Sequence, residues 1–567
     1  MNTREGIGYV VGGSLKDNLL VRLTVPADQV QEGAFVVIES GSWQFYGLVT
    51  DLRLASVDDR FAEGTFQRRL PESLGELVRE ETLFVNLEVL PALMLERGPD
   101  PGSAGYQDWL EDVERGGSAP GVLPVKTVPV HHAPVRMASP GDIAEIFGAE
   151  QEGYFAVGST REQGHPVRIN LEKFIQRSSG IFGATGTGKS FLTRMVLAGL
   201  IHFNAASVLV FDMHNEYGFD DTASDTGRRV IGLKTKFPSR VRVVGLGGGA
   251  QIRGRGPDFN LEIPLSAIQP ADIILLSRTL NLRETTPTTL DALVKSFGRQ
   301  NWFQVFKEMS VGAMVEDEDG TKRPAPGSVA HWANREGVNV MAAEALHNKL
   351  RRVFNRGYLV ENPAADGIQE LVALLQGGQH AVLSFGKHET DLDYLLVSNL
   401  LTRKIRQRWE ESTNQFRSSG TGEPRPLVIV VEEAHKLLNR DMAAQTTFST
   451  IARELRKYYV TLLIVDQRPS QIYDEVMSQL GTRISGWLGD EEDIRAVLTG
   501  LAGRQVLRGM LSRLQPKEEV LLLGWGVPMP LPVRSRRYDD AFWEDLLGRE
   551  GDVSQQSAEE SARELGF

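Results

Sequence analysis

The chain has 567 residues, which at roughly 150 per domain bounds it at three to four domains, or one core carrying large additions. Its 62 lysines and arginines against 74 aspartates and glutamates leave a net charge of −12, and with 41% hydrophobic and 24% charged residues it has a soluble globular composition, not that of a mostly disordered chain. The absence of cysteine excludes a disulfide scaffold, a thiolate metal site and a cysteine nucleophile; the acidic balance argues against a general DNA-coating protein, but not against a channel with basic residues gathered on one surface.

The opening residues, MNTREGIGYVVGGSLKDN, carry charges at Arg4, Glu5, Lys16 and Asp17. They lack the continuous apolar run of a signal peptide, so a cytoplasmic location is expected. Ile7–Val11, Leu19–Leu23, Ala34–Glu39 and Gln44–Leu52 read as short strands separated by glycine or polar turns. A small β-barrel closes such strands without leaving edges. Glu96–Gly121 has the Gly, Pro, Ser and acidic content of a mobile loop. Val125–Val135 then resumes as strand and is expected to complete the barrel.

From about Phe155 to Val244 strands, turns and helices alternate. Residues 266–360 are mostly helical in period, with a charged, Gly/Pro-rich break at Glu316–Gly327. Strand signals return at Ala381–Phe385, Leu427–Val431 and Thr461–Val465. This alternation predicts an α/β fold with a mostly parallel sheet covered by helices. The expected domains are a barrel over 1–150 with its loop at 96–121, a core from 151–265 and 361–539, a helical insertion at 266–360, and a short helix and tail at 540–567. The longest apolar stretch, Val520–Val533, contains three prolines and is shorter than the ~20 residues of a spanning helix. No membrane association is expected.

The strongest local signal is Gly183-Ala184-Thr185-Gly186-Thr187-Gly188-Lys189-Ser190, which satisfies G-x-x-x-x-G-K-[ST]. Ser179–Phe182 before it reads as a strand, and Phe191–Phe203 after it has the apolar spacing of a helix. Glycines let backbone N–H groups approach phosphates, and the helix N-terminus adds positive partial charge. Lys189 supplies a full charge to the β- and γ-phosphates, and the Ser190 hydroxyl helps hold Mg²⁺. The element therefore predicts an ATP site that extends to Phe191.

Pro426–Val431 is an apolar strand ending in Glu432 and Glu433, and strand ends of this kind face the ligand in open α/β sheets. Glu432 is assigned to the metal and Glu433 to polarising the attacking water; the usual metal-side residue is aspartate, so Glu432 is a departure. Gln467, after the strand Leu462–Asp466, is placed to sense the γ-phosphate. Asp212 and Glu216 end another buried strand, in either a structural or a catalytic role. His214 and His435 lack a partner at metal-ligand spacing and are read as non-metal residues. Gly247–Pro257 is a flexible loop carrying Arg253 and Arg255, either a DNA-backbone contact or an ordinary surface hairpin. Two further basic clusters, Lys349, Arg351, Arg352 and Arg356, and Arg403, Lys404, Arg406 and Arg408, are read as solvated or inter-subunit helix faces.

Taken in order, GATGTGKS, FDMHNEYG, VIVVEEAHKLL, IARELRKYYV and VDQRPSQI resemble the HerA family of DNA translocases within the HerA–FtsK group. The resemblance extends to the N-terminal strands and the late LQPKEEVLLLGWGVPMPLPV hairpin. It implies a RecA-like ATPase core, a homo-hexameric ring with ATP between subunits, Mg²⁺ as cofactor and double-stranded DNA as the track. Arg456, in Glu454-Leu455-Arg456-Lys457 where Leu455 replaces the family's glycine, matches the finger that reaches the neighbouring subunit's γ-phosphate. Arg177 matches a second arginine near the nucleotide. The resemblance also implies a partner nuclease of the NurA type, docking on the barrel, in DNA end resection and recombinational repair. Two alternatives stay open: a HerA-like motor with a different effector subunit in anti-phage defence, and an ATP-locked ring scaffold without translocation.

Overall fold

The computed structural model describes residues 6–15, 17–56, 83–98, 103, 105–114, 121–151, 153–222, 227–316, 322–443, 447–501 and 503–548. The chain divides into two compact units, one of Met1–Leu171 with Thr482–Arg536 and one of Glu172–Gly481 with Arg537–Phe567.

The first unit opens with β1 (Gly6–Gly12), β2 (Leu19–Leu23), β3 (Phe35–Ser40), β4 (Trp43–Ser56), β5 (Leu83–Glu96), β6 (Leu123–Pro124) and β7 (Pro134–Met137). They run in the order β2-β1-β7-β3-β4-β5, and β5 pairs back onto β2, closing a six-stranded barrel. The cause is period-two patterning. In β2, Leu19, Val21 and Leu23 are buried while Leu20 and Arg22 are more exposed, and the inward set joins Val36, Ile38, Phe45, Val49, Leu87, Val89 and Val135 in one core.

The strand expected at Val125–Val135 is a correction. Only Leu123–Pro124 and Pro134–Met137 pair, and Pro129 between them carries no N–H for a ladder. Within the segment expected to be a mobile loop, Tyr106–Glu114 is helical; residues 99–102, 104 and 115–120 of it lie outside the described residues.

β8 (Tyr154–Ser159) and β9 (Pro166–Asn170) complete an antiparallel sheet with Thr482–Ser485, Glu519–Gly524 and Leu531–Ser535. The last two strands are the expected late hairpin.

The second unit is built on β10 (Ser179–Phe182), β11 (Ser207–Asp212), β12 (Val241–Leu246), β13 (Phe259–Leu261), β14 (His380–Ser384), β15 (Leu427–Glu432) and β16 (Val460–Asp466). These seven strands are parallel, in the order β13-β12-β14-β11-β15-β16-β10. Every residue of β15 and β16 is buried, which is why they read as runs dominated by Val, Ile and Leu and not as alternating strands. β16 lies between β10 and β15, so the carboxyl ends of three adjacent strands present the phosphate loop, Gln467 and the Glu432–Glu433 pair along one edge. This is the RecA-like α/β core.

The helical insertion comprises Pro270–Leu275, Thr286–Glu308, Val329–Glu336 and Val340–Phe354. Its own small core holds Trp302, Phe303 and Phe306, and Phe303 and Phe306 meet Phe354 edge-on. The charged break contains a hairpin, Met314–Glu316 with Lys322–Pro324; residues 317–321 lie outside the described residues. Asp540–Leu547 forms the expected terminal helix, capped by Asp539, and its Phe542 and Trp543 pack with Tyr538, which in turn reaches Phe191. Residues 549–567 of the tail lie outside the described residues. Among the described residues no helix is long and apolar enough to cross a membrane.

Candidate functional site

The loop after β10 turns through Gly183, Gly186 and Gly188 at φ of +155°, +77° and +91°. The last two lie in the left-handed region that side chains disfavour, and Gly188 there starts the Lys189–His202 helix. Within the loop the Thr187 backbone N–H and hydroxyl both donate to the Ala184 carbonyl, at 3.2 and 2.7 Å. The Lys189 ammonium donates to the same oxygen at 3.1 Å, so its charge is folded over the loop where phosphates would sit. Burial pulls Lys189 below the usual lysine range, and the nearby Glu433, Asp466 and Glu432 carboxylates oppose that shift. Ser190 opens the helix half-buried, and Phe191 beside it packs against Tyr538, ring centroids 6.3 Å apart.

Glu433 follows β15 at φ +45°, a conformation a glutamate adopts only when its surroundings impose it. The Gln467 amide donates to both its oxygens, at 3.3 and 3.2 Å. Gln467 Oε1 in turn accepts from the Thr185 hydroxyl at 2.5 Å. One hydrogen-bonded chain therefore joins the phosphate loop, Gln467 and Glu433. On the other side, His435 Nδ1 lies 3.5 Å from Glu433 Oε2 and 3.0 Å from Asp466 Oδ2. The bond to Asp466 raises the His435 pKa above the ordinary imidazole value.

Glu432 is deeper. It is only 8% exposed. The Tyr217 hydroxyl donates to its Oε1 at 2.5 Å, and the Tyr394 hydroxyl to its backbone carbonyl at 2.8 Å. Burial, with Asp212 nearby, pushes its carboxyl up to about 8. Among the described residues its Oε2 is buried with no hydrogen-bond partner. A buried, unpartnered carboxylate oxygen at this strand end fits a cation's hydration shell, because a nearby positive charge would ionise the acid and supply the missing partner. Among the described residues no group of three or more histidines, aspartates and glutamates is placed to hold a metal by itself; any Mg²⁺ here needs water and phosphate oxygens to complete its shell.

Asp212 resolves to a structural role: it accepts the backbone N–H groups of Glu216 and Tyr217 at 2.8 and 3.0 Å, fixing the turn that delivers Tyr217 to Glu432. Arg194 reinforces that turn from the phosphate-loop helix by donating to the Glu216 carbonyl. Tyr217, Tyr394 and Asp466 are site residues that sequence reading missed. FDMHNEYG contained the first, but nothing local to it indicates a partner 215 positions away.

A consequence follows for Glu432. An acid whose folded-state value is raised above its unfolded one stabilises the fold relative to a permanently charged group only at low pH, and that advantage is lost as pH rises through about 8. Glu432→Gln, neutral at every pH, is expected to melt progressively higher than the parent between pH 5 and pH 8. The gap should grow by at most ~1.4 kcal/mol per pH unit. Thermal melts without nucleotide at both pH values measure it, and a constant gap would refute the buried neutral acid.

Arg456 and Arg177 lie elsewhere. Arg456 is exposed on the Leu455–Tyr458 turn that precedes β16, and Arg177 precedes β10 with its stem lying across Gly481. Both are therefore at the amino edge of the sheet, opposite the phosphate loop. β16 has seven residues, about 20 Å of strand at 3.3 Å per residue, which exceeds any arginine's reach. Within one protomer neither guanidinium meets Lys189 or Glu433.

The Arg253 loop is a tight hairpin turn in which Ile252 and Arg255 exchange backbone hydrogen bonds at 2.9 and 3.0 Å. Arg253 is ion-paired with Asp221, and Arg255 stacks 5.5 Å over Phe219. The turn is thus drawn onto the 219–222 segment. The other basic clusters are also engaged inside the unit: Lys349 and Arg352 donate to the Asn281 and Thr279 carbonyls, Arg356 pairs with Asp393, and Arg403 pairs with the buried Asp272.

Residues 155–405 match the family described as "Helicase HerA, central domain". The DNA double-strand break repair helicase HerA of Sulfurisphaera tokodaii is 25% identical over 543 residues, covering 94% of this chain and 93% of that protein. Its namesake from Saccharolobus solfataricus is 24% identical over 556 residues, covering 96% and 94%. Among solved structures, VirB4 of Thermoanaerobacter pseudethanolicus aligns with a TM-score of 0.42 at 14% identity, over 70% of this chain and 99% of that one. With the phosphate loop, the acid-ended strand and Gln467 gathered on one sheet edge, this chain is a P-loop ATPase whose residues 155–405 match the HerA central domain and which is similar to HerA helicases along nearly its whole length.

Proposed function

We propose that the chain is an ATP-driven double-stranded DNA translocase that works as a hexameric ring with a partner nuclease of the NurA type in DNA end resection. The observation that carries the reading is the hydrogen-bonded chain Thr185–Gln467–Glu433 beside Lys189, with Arg456 and Arg177 on the opposite edge of the same sheet. That arrangement is complete for hydrolysis only if a second copy lends its amino edge to the first copy's loop.

In this reading the loop amides and Lys189 bind the β- and γ-phosphates, and the dipole of the Lys189–His202 helix favours their charge. Glu433 orients the attacking water and accepts its proton, while Gln467 reports the γ-phosphate to Glu433. The neighbour's Arg456 stabilises charge that develops in transfer. Mg²⁺, when bound, neutralises phosphate charge; Ser190 and Glu432 are the residues that would hold it. Sequence-independent contact with the DNA backbone is assigned to Arg253 and Arg255 once the Asp221 pair opens. The barrel is the docking surface for the effector.

The test is ATP turnover with and without linear duplex DNA, with magnesium present and then chelated. Magnesium-dependent turnover that rises at least severalfold with DNA supports the motor. Nucleotide binding without turnover supports the ring scaffold instead, and turnover indifferent to DNA refutes translocation.

A further inference from the structure

We infer that His435 is the positioning residue for Glu433, clamped by Asp466 so that the catalytic carboxylate stays aimed at the phosphate loop; the inference rests on the ATPase reading of Glu433.

Glu433 occupies the left-handed region at φ +45°, and nothing in a glutamate favours that conformation. The turn that imposes it, Glu433-Ala434-His435, must therefore be held from outside. The holder is Asp466, the last residue of β16 and 1% exposed. Asp466 Oδ2 accepts the His435 backbone N–H at 2.8 Å, and the ring Nδ1 of the same histidine lies 3.0 Å from Oδ2 and 3.3 Å from Oδ1. Asp466 Oδ1 accepts the Arg468 backbone N–H at 2.7 Å. Two backbone amides and one imidazole thus share a single buried carboxylate, and the imidazole is the only one of the three that also faces Glu433, at 3.5 Å.

From the other side Glu433 is held by Gln467, the residue next to Asp466. The carboxylate is therefore bracketed by two groups that both depend on the end of β16. Among the described residues, a displacement of His435 leaves Glu433 on the Gln467 amide alone, free to rotate about its own side-chain bonds, and a misaimed base loses rate without losing bound nucleotide.

The prediction distinguishes geometry from bulk. In asparagine the side-chain amide nitrogen occupies nearly the place of Nδ1 and donates the same bond to Asp466; in glutamine it lies one bond further out. His435→Asn should keep kcat within about threefold of the parent, whereas His435→Gln and His435→Ala should lower kcat tenfold or more. All three should leave KM for ATP and the affinity for a fluorescent ATP analogue within about twofold, and thermal melts should establish that each variant is folded. If His435→Ala does not fold, the contrast between Asn and Gln still decides. Equal kcat for Asn and Gln, or a parent-like kcat for the alanine variant, overturns the positioning role while leaving the ATPase reading standing. A parent protein that binds ATP but never turns it over overturns both.

Discussion

Glu433→Gln is expected to lower ATP turnover by about 10²–10⁴-fold while nucleotide binding and assembly persist. The substitution removes the proton acceptor but keeps the shape and the ability to bond Gln467. It leaves the phosphate loop untouched, because Glu433 contributes to Lys189 only through charge. Loss of that carboxylate charge should, if anything, bring the Lys189 pKa lower still. Steady-state ATPase and equilibrium binding of a fluorescent nucleotide measure the two quantities separately. Turnover within tenfold of the parent would mean that Glu433 does not handle the water, and Glu432 would be the next candidate despite its burial.

Arg456→Ala should lower turnover by about 10³–10⁵-fold, the range for removing an arginine finger, and its special signature is complementation. Lys189 and Arg456 sit at opposite edges of one sheet, so in the proposed ring a single site would take its lysine from one copy and its arginine from another. Lys189→Ala and Arg456→Ala proteins should each be inactive alone. Mixed rings should contain interfaces where a normal lysine meets a normal arginine, and activity should return in proportion to them. Titrating one variant into the other and following ATP turnover is the measurement. Two inactive proteins that stay inactive when mixed, although a labelled copy exchanges between rings, would refute a site shared between protomers.

The phosphate loop was legible because its constraint is local: a backbone that must pass through left-handed geometry at Gly186 and Gly188 and then start a helix declares itself within eight residues. The buried strands were legible for a related reason. β15 and β16 are covered on both faces, so apart from the buried Thr461 they are apolar until the acid that ends each one, Glu432 and Asp466, and Glu433 and Gln467 follow directly. The barrel strands followed from period-two alternation, except where prolines interrupt it, and there Val125–Val135 was read as one strand because side-chain hydrophobicity outweighed the missing N–H groups.

What the residues could not disclose depends on which strands become neighbours. His435 looked like an isolated histidine because its partner, Asp466, is 31 positions away and meets it only once β15 and β16 pair in register. Glu432 read as a metal-facing acid, yet its neutral state comes from burial and from the Asp212 carboxylate of another strand, and the Tyr217 hydroxyl only partly offsets them by favouring the charged form.

The sequence alone determined the chemistry at the end of each strand, since loop glycines, a lysine at the helix start and acids after an apolar run are set by local backbone and burial requirements. Only the tertiary structure decided how those ends share protons and charge and that both arginines stand on the far edge, because desolvation, hydrogen bonding and reach depend on distances that no spacing along the chain encodes.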